Sequence, residues 1–156
     1  MRLSERFITI PLIESDDYGT AGIDSDGVNM GLLHNLTAVF VFGAITGNSV
    51  LKVYAGATAA KTTAVDFKYR LGAADFKAAD ADQLGDVTAV TGSSGLTLTA
   101  ATFDHRMVTI EIDAQAMPDG KPWVTFEIDA TANPMNVGAV GIGAVRSAAH
   151  LHNSVI

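Results

Sequence analysis

The stretch Arg106–Ala130, RMVTIEIDAQAMPDGKPWVTFEIDA, decides how this chain folds. In its first arm Val108, Ile110 and Ile112 alternate with Thr109, Glu111 and Asp113; in its second, Val124, Phe126 and Ile128 alternate with Thr125, Glu127 and Asp129. Alternation with period two puts the large apolar side chains of each arm on one face and the polar set on the other. A helix would scatter those acids around its circumference. Between the arms lies Met117-Pro118-Asp119-Gly120-Lys121-Pro122, in which Pro presets φ for a turn and Asp-Gly accepts φ > 0. The stretch reads as a β-hairpin with a buried apolar face and a solvated polar one.

The same grammar extends in both directions. FITIPLI (7–13) reads as a strand that Pro11 confines to an edge, because Pro has no amide proton to give a ladder. Residues 14–31 are acidic and Gly-rich, with a short strand expected around Gly27–Met30. LTAVFVFGAI (36–45) is nearly continuously apolar, as expected of a strand buried on both sides or at a sandwich centre. The turn Thr46–Ser49 leads into VLKVYAGA (50–57), and VDFKYRLG (65–72) alternates again. Residues 72–86, rich in Asp and Ala, read as a solvated loop. VTAV (87–90) and GLTLTAATF (95–103) read as a pair across Thr91–Ser94. In NVGAVGIGAVRSA (136–148) the strand is so dense in Gly that something bulky is expected to press on it. Eight to ten short strands spaced by turn signals, with no amphipathic helix, predict an all-β fold: an antiparallel β-sandwich, jelly-roll-like, with an extended N-terminal arm. The expected organisation is an arm or edge strand over 1–13, a sandwich domain over 14–149 and a polar C-terminal tail over 150–156.

A chain of 156 residues with 48% hydrophobic composition has enough apolar material for one core. Only 17% of residues are charged, and a surface short of charge points to cover by other chains. The net charge of −7 argues against a nucleic-acid partner. With no Cys, thiolate nucleophiles and Cys-ligated zinc are excluded. The N-terminus lacks the apolar core and cleavage site of a signal peptide, and no apolar run approaches the roughly 20 residues that span a bilayer. The expectation is a soluble protein made in the cytoplasm, with no membrane partner.

Glu111, Asp113, Glu127 and Asp129 share a face of the expected hairpin and carry the hard oxygens that Ca²⁺ prefers. A register that interleaves them with Thr109 and Thr125 avoids opposed like charges and needs no metal. Asp24-Ser25-Asp26-Gly27 echoes the start of an EF-hand loop but lacks the Glu at the twelfth position. His150 and His152 have a permissible metal spacing without further ligands, and they, like His34 and His105, carry no motif. There is no nucleophile elbow, Walker loop or His-Glu-x-x-His. No catalytic residue, no metal and no cofactor is expected, and the chain reads as a non-enzyme. Trp123 is open to two readings, a cap over the sandwich edge or an interface anchor. The N-terminal segment, with Arg2, Phe7, Ile8, Ile10, Pro11 and Leu12, is a candidate interface, because a terminal apolar strand can add to a neighbour's sheet edge.

The phrases NLTAVFVFGAITGNSVLKVYAGAT and FDHRMVTIEIDA, followed by the Gly-rich last strand, resemble small tailed-phage virion proteins, specifically capsid decoration (cement) proteins with a β-sandwich or jelly-roll fold. The resemblance spans about Val28–Ala148 and rests on strand texture; Asp104-His105-Arg106 departs from it, standing where such sequences often carry an aromatic. It implies a structural role on the virion: binding the major capsid protein on the outside of the shell, as a homotrimer, after synthesis in the bacterial host cytoplasm. Two alternatives stay open, another virion subunit (tail tube or head–tail connector) and a carbohydrate- or ligand-binding β-sandwich module.

Overall fold

The computed structural model describes residues 6–19, 21–129, 134–147 and 155–156. In chain order its strands are β1 (Phe7–Tyr18), β2 (Ile23–Asp24), β3 (Val28–Asn29), β4 (Leu33–Ile45), β5 (Ser49–Gly56) and β6 (Thr63–Ala64). They continue with β7 (Phe67–Leu71), β8 (Thr88–Val90), β9 (Leu96–Leu98), β10 (Met107–Asp113), β11 (Trp123–Ile128) and β12 (Met135–Val145). One sheet, here sheet A, has the order β1-β12-β4-β10-β7-β8. Sheet B is built on β2-β11-β5-β6, with β3 and β9 also pairing onto it. All pairings between these strands are antiparallel.

The order β1-β12-β4-β10 facing β2-β11-β5-β9 is that of a jelly roll, in which the chain crosses repeatedly from one sheet to the other. The expected antiparallel sandwich is therefore present. Strands β7 and β8 widen sheet A beyond β10, and β6 shares one edge of β5 with β9.

The stretch that decided the fold is not a hairpin. Its first arm is β10, held between β4 and β7 in sheet A; its second is β11, held between β5 and β2/β3 in sheet B. Both edges of each arm are occupied by other strands, so the arms face each other across the core instead of pairing. Their apolar faces are as expected: Val108, Ile110, Val124 and Phe126 are fully buried. The turn chemistry also holds, with Gly120 at φ 71° and the Lys121 N–H donating to the Pro118 carbonyl at 3.0 Å. Residues 87–90 and 95–103 are parted in the same way. β8 joins sheet A through β7, while β9 joins sheet B through β5, and Ala100–Phe103 turns into a short helix, α1.

The core closes around aromatic contacts. Phe40 of β4 meets Phe126 of β11 edge-on across the sheets, with centroids 5.4 Å apart, and stacks on Phe42 at 6.2 Å. Phe103 of α1 caps this row against Phe42 at 6.5 Å. Neighbours press closely on the Gly-rich strand β12: a Cβ at Gly141 would stand 2.8 Å from Leu36 Cδ1 and 3.4 Å from Ile10 and Leu12. At the far end of the chain Val155 is buried, and its carbonyl accepts the Asn29 N–H at 2.7 Å.

Candidate interaction surface

The two sheets differ in what covers their outer faces. On sheet B, the segment 57–62 folds back over β11 and β5. The Ala59 carbonyl accepts the Thr125 hydroxyl at 3.2 Å, and Thr125 is buried in consequence. Lys61 bridges Asp24 at 2.7 Å and Glu127, and its ammonium lies 6.0 Å from the Tyr54 ring centroid. Partial burial disfavours the Lys61 charge, but hydrogen bonds to Asp24 and Glu127, and their negative charges, outweigh it and raise its pKa. A Cβ at Gly27 would lie 2.6 Å from Ala59 Cβ and 3.4 Å from Trp123 Cε3, and Trp123 is half-buried.

Among the described residues no such segment lies over the middle of sheet A. Directly paired residues share a face, and the register lines up Pro11, Val140, Val39 and Thr109 across β1, β12, β4 and β10. One row consists of Thr9, Ile142, Thr37 and Glu111; the row on the other side has Gly138, Val41 and Met107. Val41 is 44% exposed and Val140 45%, and Val39, Ile142 and Met107 are part-exposed. From β1 to β4 these rows carry no charge; charge begins with Glu111 and continues with Lys68 and Arg70 of β7. Fully burying a Val or Ile stabilises by about 1.5–3 kcal/mol, so a neutral patch of this composition gains several kcal/mol on contact with a matching surface. Contiguous apolar patches rimmed by polar residues mark association surfaces. This face is what an apparently doubly buried β4 means: Leu36, Ala38, Phe40 and Phe42 fill the core while Val39 and Val41 face outward.

Strand β1 borders the patch. The Val145 N–H donates to the Arg6 carbonyl at 3.2 Å. Antiparallel pairs alternate between bonded and non-bonded, so the polar groups of Ile8 and Ile10 turn toward β12, and those of Phe7, Thr9 and Pro11 turn to the open edge. Pro11 thus removes no ladder bond, and it leaves that edge one donor short.

The residues singled out in the sequence fall in different places. Arg2 lies outside the described residues, as do His150 and His152. Phe7 and Ile8 are half-buried at the start of β1, Pro11 is exposed on the sheet A face, and Ile10 and Leu12 point into the core. The four acids do not converge: Glu111 and Asp113 lie on the outside of sheet A, Glu127 on the outside of sheet B, and Asp129 accepts the Val50 N–H at 2.6 Å. Asp24-Ser25-Asp26-Gly27 is a stitch onto β11, where the Phe126 N–H donates to Ser25 Oγ and the Ser25 N–H to the Phe126 carbonyl, both at 2.9 Å. His34 is exposed, and His105 adopts φ 54° beside Asp104 at 3.8 Å. Among the described residues no helix is long and apolar enough to cross a membrane.

No protein-family model and no curated protein matches the chain. Among solved structures it is similar to the SPBc2 prophage-derived protein YomS, at 20% identity over 88% of this chain and 91% of that one, with a TM-score of 0.48. It is also similar to a chain in the structure of infectious bursal disease virus Gt strain, at 15% identity with a TM-score of 0.27, covering 96% of this chain and 42% of that one.

Proposed function

We propose that this protein is a structural component of a phage particle, docking on the outside of the capsid lattice and stabilising it. The observation that carries the reading is the uncharged outer face of sheet A around Val39, Val41, Val140 and Ile142, which no described segment covers, while sheet B is covered by the chain's own loop. The resemblance of its strand phrases to capsid decoration proteins gives that face its partner, the major capsid protein. In this reading the protein acts by contact alone, without catalysis, cofactor, nucleic acid or membrane, and assembles as a trimer. The border of the patch supplies further contacts through Phe7, Ile8 and Pro11, Arg2 of the N-terminal segment is a further proposed contact residue, and Ile10 and Leu12 hold β1 in register from the core side. Trp123 is the contact residue proposed on sheet B.

Two measurements test this. Mass spectrometry of purified particles is expected to find the chain at a copy number commensurate with the lattice, and absence or trace amounts would sink the proposal. The pair Val41→Glu and Val140→Glu is expected to abolish co-sedimentation with shells while leaving thermal stability nearly unchanged, since exposed substitutions stay within about 0.5 kcal/mol. Rings or tubes of the isolated protein in electron micrographs would instead assign it to the tail or connector.

A further inference from the structure

One corner of the sandwich gathers two guanidinium groups and an imidazole from three distant parts of the chain. The β1–β12 ladder ends with the Val145 N–H on the Arg6 carbonyl, which sets Arg6 beside Arg146. Arg146 is itself fixed twice: its N–H donates to the Leu32 carbonyl at 3.0 Å and its Nε to the Leu33 carbonyl at 2.7 Å. His34 follows Leu33 at the start of β4. Arg6, His34 and Arg146, with Phe7 and Val145, line a single cleft of about 460 Å³.

This cleft differs in its lining from other clefts among the described residues. Those lined by Asp66, by Glu111 with Asp113, and by Asp119 each contain a carboxylate. Here no acid lines the wall among the described residues, in a chain with 17 acids against 10 Lys and Arg. With acids in such excess, two guanidinium groups and an imidazole in one cleft, with no carboxylate among its described lining, are not the arrangement that chance spacing favours. Like charges brought together repel, and an anion between them removes that penalty. The geometry suits the task. The Nε bond to Leu33 holds the guanidinium in place, and its terminal nitrogens have no partner among the described residues. A planar fork of donors matches the paired oxygens of a carboxylate or phosphate.

We propose that the cleft of Arg6, His34 and Arg146 is an oxyanion-binding site, taking a carboxylate or a phosphate group. The site does not rest on the capsid reading: it lies at a strand end, apart from Val39, Val41, Val140 and Ile142, and shares only Phe7 with the contacts proposed above.

The test is a ¹H–¹⁵N NMR titration of the full chain at constant ionic strength, with sodium phosphate, sodium acetate and sodium chloride as separate probes. Saturable shifts confined to the amides of residues 32–34 and 144–147 are expected with at least one oxyanion and not with chloride. Saturation by phosphate alone points to a phosphate-bearing ligand, and saturation by acetate as well points to an acidic side chain of a partner. Arg6→Ser is expected to weaken binding about tenfold. Because Arg146→Gln also removes the bond to Leu33, His34→Gln, at an exposed position, serves as the second variant and is expected to weaken binding with an unchanged melting curve. Shifts that never saturate, that spread over all basic residues, or that persist unchanged in both variants would overturn the site.

Discussion

At the scale of single residues, the inward and outward positions follow from hydropathy alone. Val108, Ile110, Val124, Phe126 and Ile128 are inside because each alternates with a residue that pays to lose water, and the structure places them there. Phe126 is the most demanding of them: fully buried and edge-on to Phe40 at 5.4 Å. Phe126→Ala is expected to destabilise by about 3–5 kcal/mol, the transfer term plus the cavity left between the sheets. Chemical denaturation checks it, and a loss below about 1 kcal/mol would mean that the site collapses without strain. What the sequence hid at this scale is the job of individual acids. Asp129 reads as one more solvated carboxylate, yet it accepts the Val50 N–H, and Asp104 likewise accepts the Ile45 N–H at 2.7 Å. Both bonds span more than fifty residues of chain, so spacing along the sequence carries no trace of them.

At the scale of elements, the strands were legible and their partners were not. Alternation states which face of a strand meets apolar surroundings. Two arms paired in one sheet and two arms facing across a core satisfy that condition equally. The signal that separates them is loop length: Ala114–Pro122 is longer than the two- to five-residue loops of most hairpins. Its residues form a 3₁₀ turn over Ala114–Ala116, with the Asp113 side chain accepting the Gln115 N–H at 2.8 Å, before the turn at Gly120. A direct test replaces Ala114–Pro122 with Asn-Gly, a loop that folds two strands back into one sheet. Because β4, β7, β5 and β2/β3 already occupy every edge of the two arms, that variant is expected to lose its cooperative thermal transition. Lengthening the connection by two Gly at Gly120 is expected to change stability by well under 1 kcal/mol, since loop closure depends only weakly on length. A cooperative, near-native melt for the Asn-Gly variant would restore the hairpin.

At the scale of the whole molecule, the governing feature is the inequality of the two outer faces. The scarcity of charge in the sequence pointed to covered surface without saying where. The location needed the topology, because Val39 and Val41 become a patch only when β12 brings Val140 and Ile142 beside them and β1 brings Pro11. Sheet B shows the alternative, a face covered by its own chain through Ala59 and Lys61. The same substitution should therefore have opposite effects on the two faces. Thr125→Glu places a carboxylate at a position only 5% exposed, breaks the bond to Ala59 and sets a like charge near Glu127. Burying a polar group without partners costs about 1–3 kcal/mol, and more for a charge, so a marked fall in melting temperature is expected. Val140→Glu adds the same charge where water already reaches, at 45% exposure, and is expected to leave the melting temperature nearly unmoved while blocking the proposed docking on shells. Differential scanning calorimetry and sedimentation on both variants separate the two effects. If Val140→Glu destabilised the isolated chain as much as Thr125→Glu, the sheet A face would be part of the fold's own packing instead of a surface held open for a partner.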